Sequence, residues 1–176
     1  MKTDREEEVL NLIEKKRNHI IDFLKELISF PSETGNEAEI QRFIAGRLET
    51  MGLTVDAWEP DHEALKKHPA YVPTDRDYTD CPNVVGIYKG TGNGKSLLFN
   101  GHVDVIPEGP LDAWEHQPWS GDIVGDRLYG RGTSDMKSGL AAMTMAMEFL
   151  MKAGIKLKGD VILEYVVDEE QTGNGT

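Results

Sequence analysis

The sequence has little of what a secreted, membrane-bound or nucleic-acid-binding protein needs. Its 176 residues include one cysteine, Cys81, which excludes an internal disulfide framework and a cysteine-rich zinc site. With 19 lysines and arginines against 31 aspartates and glutamates, the net charge of -12 argues against nucleic acid and anionic membranes. The longest apolar run, residues 140–151, is too short to span a bilayer, and residues 1–8 lack the apolar core of a secretory signal. We therefore expect a cytoplasmic protein.

Helical and strand patterns alternate along the chain without repeats. The sequence predicts helices over residues 6–30, 40–51 and 137–153, strands over 54–58, 83–88, 96–100 and 160–167, and a hairpin over 123–129. This alternation predicts an α/β fold, a three-layer α/β/α sandwich with helices on both faces of a mixed, largely parallel sheet. Residues 59–82 hold four of the eight prolines, which predicts a long irregular segment on the surface, called the excursion below.

The first candidate for chemistry is the Gly-His-Val-Asp motif at residues 101–104, which follows a predicted strand. Side chains two apart on a strand point the same way, so His102 and Asp104 can share a face at its carboxyl end. Ligands bind beyond the carboxyl ends of strands in open α/β sheets. A carboxylate that holds one imidazole nitrogen leaves the other free for a metal, although a loop histidine bonded to its neighbour is the simpler interpretation.

Two acidic positions extend this argument. Asp168, Glu169 and Glu170 follow an apolar strand, where neighbouring carboxylates repel one another unless they are solvated or neutralised by a cation. Adjacent side chains of an extended segment diverge, so one glutamate can bind a metal while the other faces a substrate. Asp135 lies between a glycine-rich loop and a buried helix, where it is equally suited to capping that helix.

Taken in order, these motifs resemble the family of two-metal deacylases and exopeptidases. They are LLFNGHVDVIP at residues 97–107, LYGRGTSDMK at 128–137 and VDEE at 167–170. The first turn of the family pattern is matched by Phe30, Pro31 and Ser32 with Gly35 and Glu37. That family includes acetylornithine deacetylase, succinyl-diaminopimelate desuccinylase, aminoacylase and glutamate carboxypeptidase. Ser138 departs from the pattern, because a second glycine is common there.

The resemblance implies a role for each motif residue. His102 would bind one metal while Asp104 orients its ring, and Asp135 would bridge two metals, with a peptide bond after it that is usually cis. Glu170 would bind the second metal, and Glu169 would be the general base and acid. The implied cofactors are two divalent ions, with zinc favoured and cobalt or manganese possible.

The resemblance also implies an activity and a domain organisation. The expected reaction is hydrolysis of the amide bond of an N-acyl amino acid by a metal-activated water. We expect residues 1–176 to be the N-terminal part of a catalytic domain, without the C-terminal part and without the lid domain that would carry dimer contacts. Two protein ligands for each metal fall short of the usual three, so the isolated chain should bind metal weakly or bind a single ion, and have little activity.

Three alternatives stay open at this point. A dipeptidase or carboxypeptidase of the same family would act on a short peptide. A non-catalytic remnant would only bind a small acidic or metal-bearing ligand. In the third, an acidic α/β domain merely carries its carboxylates on loops. The sequence does not identify the acyl group, the amino acid or the metal.

Overall fold

The computed structural model describes residues 4–176; residues 1–3, the start of the charged N-terminal stretch, lie outside the described residues. The helices are α1 (Asp4–Lys15), α2 (Arg17–Ile28), α3 (Ala38–Met51), α4 (His62–Leu65) and α5 (Ser138–Lys152). The strands are β1 (Thr54–Trp58), β2 (Asn83–Tyr88), β3 (Leu97–His102), β4 (Ile123–Val124), β5 (Arg127–Leu128) and β6 (Val161–Val166).

Four strands form one mixed sheet in the order β1-β2-β6-β3, and β4 and β5 form a separate hairpin. β3 and β6 are parallel, with His102 opposite Val166. A parallel pair needs a crossover connection, and α5 lies within the one that joins these two strands. The carboxyl ends of β3 and β6 therefore lie side by side at one edge of the sheet.

The long helices pack on one face of this sheet. Arg47 of α3 and His19 of α2 both contact Glu148 of α5, so the three helices are neighbours in one layer. The core lies between that layer and the central strands β2 and β6. Its largest fully buried apolar side chains are Tyr165, Phe23, Phe149, Leu27, Ile28, Ile40, Ile44, Leu48, Leu140, Met145 and Leu163.

The predicted α/β class and the mixed sheet are confirmed, with three corrections of detail. Two of the three strand pairs are antiparallel, so the sheet is less parallel than predicted. Within residues 4–176 the long helices cover one face only, and Leu98, which points to the other face, stays 50% exposed. The predicted helix over residues 6–30 is two helices, because the backbone turns at Lys16 within a run of three cationic residues.

The predicted excursion at residues 59–82 is irregular apart from the single turn of α4. It is not a solvated loop throughout, since Tyr78 within it is only 3% exposed. In the part of the chain that the structure describes, no helix is long and apolar enough to cross a membrane.

Candidate metal site

The candidate site forms where the parallel strands β3 and β6 end. His102 is the last residue of β3, and residues 168–170 follow β6 directly. The turn after α2 lies against the same edge, because Val105 donates its amide hydrogen to the Ser32 carbonyl at 3.0 Å. This is the edge at which open α/β sheets bind their ligands.

Asp135 reaches the site on an irregular turn over Thr133–Lys137, just before α5. Gly132 begins this turn with a φ of +75°, and a Cβ there would lie 2.4 Å from a methyl group of Val105, so only glycine fits. Asp135 itself has extended backbone angles, and its peptide bond to Met136 is cis, as the family resemblance implies. Lys137 fixes the end of the turn, since its buried ammonium donates to the Phe30 carbonyl at 2.7 Å.

The structure brings three of the predicted residues together. One ligand atom from each of His102, Asp135 and Glu170 lies within 4.8 Å of the other two, and this is the one such group found among residues 4–176. The distance from His102 Nε2 to Asp135 Oδ1 is 3.0 Å. One imidazole nitrogen and two carboxylates are the donor set that zinc, cobalt and manganese accept, so the residues present fit a divalent cation.

Asp104 contacts the His102 ring mainly through its backbone. His102 Nδ1 lies 2.9 Å from the Asp104 carbonyl oxygen and 3.6 Å from a carboxylate oxygen of the same residue. Burial by itself would lower the pKa of His102, but the hydrogen bonds to Asp104 and Asp135 outweigh burial and raise it to about 9. The ring is thereby fixed with Nε2 facing Asp135.

The Asp104 carboxylate binds the loop that follows β6, a contact that the sequence did not predict. It is fully buried and accepts hydrogen bonds from the backbone amides of Glu169 and Glu170, each at 3.1 Å. Thr34 adds a third bond through its hydroxyl at 2.9 Å. Burial would raise the pKa of Asp104, yet the nearby His102 ring and the hydrogen bonds from the Glu169 and Glu170 amides and from Thr34 keep it below the usual value. These contacts join segments far apart in sequence, and no local pattern signals them.

The two glutamates differ in their surroundings, as the sequence predicts. The Glu169 side chain is 51% exposed, and one of its oxygens lies 3.7 Å from His102 Nε2. Glu170 is more enclosed, and its pKa is raised by burial and by the negative charges of Asp135, Asp104 and Glu169. Three carboxylates thus converge on a single imidazole, an excess of negative charge that a bound cation would balance.

The fold and this cluster together identify the class of protein. The chain is an α/β domain with a candidate metal site at the ends of its strands. Residues 98–176 match peptidase family M20/M25/M40. Over those residues, the match bears out the resemblance that the sequence motifs carry.

The similar proteins agree with this resemblance. The chain is 36% identical over 169 residues to the N-formyl-4-amino-5-aminomethyl-2-methylpyrimidine deformylase of Bacillus subtilis (strain 168), covering 93% of this chain and 36% of the relative. It is 35% identical over 150 residues to the succinyl-diaminopimelate desuccinylase of Leptothrix cholodnii, covering 85% of this chain and 36% of the relative. The crystal structure of human carnosine dipeptidase 1 shares the fold, with a TM-score of 0.76 at 22% identity over 94% of this chain and 35% of that one. The chain thus spans about a third of the length of these proteins.

Proposed function

We propose that this chain is part of a metal-dependent hydrolase that cleaves the amide bond of an N-acyl amino acid. The observation that carries the proposal is the cluster of His102, Asp135 and Glu170 with Glu169 beside it. The names of two relatives describe removal of a formyl and of a succinyl group, which favours an acyl amide over a peptide.

In this proposal His102 would hold one divalent ion and Glu170 a second, and Asp135 would be a ligand shared by both. Zinc fits the imidazole and carboxylate donors, and cobalt or manganese would substitute for it. Ions bound at such a site acidify water and polarise the carbonyl that is attacked.

The remaining steps belong to the protein's own side chains. Asp104 keeps the His102 ring in place through its carbonyl oxygen, and its carboxylate fixes the backbone from which Glu169 projects. Glu169 takes a proton from the attacking water and returns it to the leaving amine. Its half-exposed position beside His102 suits this role, because a proton carrier must reach both the water and the substrate.

We further propose that residues 1–176 are the N-terminal part of the catalytic domain. Within residues 4–176, β3 pairs with β6 alone and exposes the apolar side chains of Leu97, Leu98 and Phe99. Apolar surface at an open strand edge is a liability that proteins cover, and further strands of the same domain would do so. We also propose that the full-length protein has a lid domain that carries dimer contacts. We propose a cytoplasmic location, because the single cysteine fits a reducing compartment.

The test is hydrolysis by the full-length protein, with N-acetylornithine, succinyl-diaminopimelate and dipeptides offered side by side. Release of acetate or succinate that requires divalent metal supports the proposal. Preference for dipeptides would replace it with the peptidase alternative, and failure to cleave any amide would leave the ligand-binding alternative. Glu169→Gln should lower kcat by about 10²–10⁴ with bound metal unchanged, whereas Glu164→Gln on β6 should have little effect.

A further inference from the structure

The proline-rich excursion makes an unexpected set of contacts beside the site. Its second half together with the first residue of β2, residues 72–83, is called the strap here, and residues 167–175 are called the acidic loop. At the far end, the backbone amide and carbonyl of Val72 both bond the Asn174 side chain, at 2.9 and 2.8 Å. At the near end, Asn83 accepts from the Val167 amide at 2.9 Å and donates to the Gly175 carbonyl at 2.7 Å.

Between these ends the strap holds the carboxylate of Asp168. Asp168 is fully buried, and its φ of +58° is rare for a residue other than glycine. Its two oxygens accept from the Tyr78 hydroxyl at 2.7 Å and the Arg76 guanidinium at 3.3 Å, and the Thr172 hydroxyl also donates to it. Burial, reinforced by Asp168, raises the pKa of Tyr78 to about 12, so its hydroxyl remains a hydrogen-bond donor.

Arg76 links this carboxylate to the rest of the site. Its guanidinium also donates to the Thr34 carbonyl at 2.7 Å and to the Gln171 side chain at 2.8 Å. The Thr34 hydroxyl in turn donates to Asp104, the residue that accepts the amides of Glu169 and Glu170. One planar guanidinium therefore joins three loops, which a lysine in its place cannot do with the same geometry.

The acidic loop is thus held from two sides. Asp104 binds its backbone amides, and the strap binds the Asp168 side chain, which leaves the side chains of Glu169 and Glu170 directed to the site. Asp135, Glu169 and Glu170 repel one another, so a loop without these restraints would separate them.

We infer that Arg76 and Tyr78 are positioning residues, which act through Asp168 to hold Glu170 at metal-binding distance and Glu169 beside it. The inference rests on the proposed function, because it assigns the strap a role in a metal site. It gives residues 59–82, which lie outside the residues 98–176 that match the family, a part in the proposed chemistry.

The first experiment titrates the full-length protein with Co²⁺ and follows both affinity and the visible absorption of the bound ion. Arg76→Met should weaken binding by about 10–100-fold, the usual effect of removing a residue behind a metal ligand, and should alter the Co²⁺ spectrum. Tyr78→Phe, which removes only a hydroxyl, should have a smaller effect in the same direction, and Arg76→Lys should recover part of the loss. Arg47→Met is the matched control, because it removes an arginine from a buried carboxylate on the helical layer. It should destabilise the fold and leave Co²⁺ affinity unchanged.

The second experiment measures hydrogen exchange in the metal-free protein. Arg76→Met should accelerate exchange of the Glu169 and Glu170 amides without affecting α5, and Arg47→Met should do the reverse. Equal Co²⁺ affinity and spectra in wild type and Arg76→Met would overturn the positioning role. Absence of Co²⁺ binding by the wild type would instead overturn the proposed function. If the Glu169 and Glu170 amides of Arg76→Met still exchanged faster in that case, the strap would only stabilise the acidic loop. The positioning role would then be wrong together with the proposed function.

Discussion

Two regions of this molecule place carboxylates in opposite electrostatic surroundings. On the helical layer, Glu148 is 5% exposed and contacts His19, Arg47 and Lys152. At the strand ends, Asp135, Glu169 and Glu170 converge on His102, and the Asp135 side chain is 75% exposed. The first region supplies its own cations, whereas the second gathers carboxylates around one imidazole.

The difference separates a structural carboxylate from a candidate ligand. Burial would raise the pKa of Glu148, but Lys152, His19 and Arg47 outweigh burial and lower it. The pKa of Glu170 is raised, by burial and then by Asp135. A carboxylate that the fold stabilises in its charged form contributes to stability, while one that the fold destabilises gains from an external cation.

The largest expected effect is on metal affinity. Glu170→Gln should weaken Co²⁺ or Zn²⁺ binding by about 100-fold or more, since even a residue behind a ligand is worth about 10–100-fold. Glu148→Gln, the same change in the other region, should leave affinity unchanged by calorimetry. Equal loss in both variants would mean that the two regions do not differ as described.

The next effect is on stability without metal. Arg47→Met should lower the free energy of unfolding by about 2 kcal/mol, because it removes a charged hydrogen bond from a buried carboxylate. Asp135→Asn should stay within about 0.5 kcal/mol, as expected for an exposed side chain. Urea unfolding in the presence of a chelator measures both. A larger loss in Asp135→Asn than in Arg47→Met would contradict the comparison.

Lowering the pH should change the contributions of Glu148 and Glu170 to stability in opposite directions. Glu148 has a folded pKa below its unfolded value of 4.5, so its contribution is present above that pH and is lost as pH falls through the folded pKa. Glu170 has a folded pKa above 4.5, so the folded state binds more protons and its destabilising effect is relieved as pH falls towards 4.5. The measurement is thermal unfolding of the metal-free protein at a series of pH values. Glu148→Gln should reduce the pH dependence of stability below pH 4.5, and Glu170→Gln should reduce it above pH 4.5. Parallel profiles for the two variants would refute this assignment of signs.

The smallest expected effect is a gain in the stability of the metal-free protein. Removing one of the repelling charges by Glu170→Gln should stabilise the metal-free protein by about 0.5 kcal/mol near neutral pH, the scale of partly exposed charge pairs. Added salt should reduce this gain, since ions screen the repulsion. Chemical unfolding at two salt concentrations checks it, with Glu164→Gln on β6 as the neutral control. A loss of stability in Glu170→Gln would show that the loop needs this charge for its structure.

The sequence predicted the candidate ligands because each belongs to a local motif. His102 ends a strand, Asp135 precedes a helix behind a glycine-rich turn, and Glu170 follows a buried strand. Their meeting follows from one topological fact, that β3 and β6 are parallel neighbours joined through α5. Such an arrangement brings the carboxyl ends of both strands to one edge.

Other features had no local signal. β1 and β2 pair antiparallel across the excursion, which strand composition does not specify. The strap contacts join residues about ninety positions apart, such as Tyr78 and Asp168, and the sequence of the strap has no helical or strand periodicity that would indicate them. Side-chain pairs at that separation depend on the whole backbone path.

By itself, the sequence determined the class of fold and the excess of acidic residues, and its motifs predicted the candidate ligands through their resemblance to a family. Periodicity and short motifs carry this information, because each depends on a few neighbouring residues. Only the tertiary structure decided that Asp104 binds the amides of Glu169 and Glu170 and that Arg76 and Tyr78 hold Asp168. Buried polar groups must find hydrogen-bond partners wherever the folded chain brings them close, and that proximity belongs to the fold rather than to any stretch of sequence.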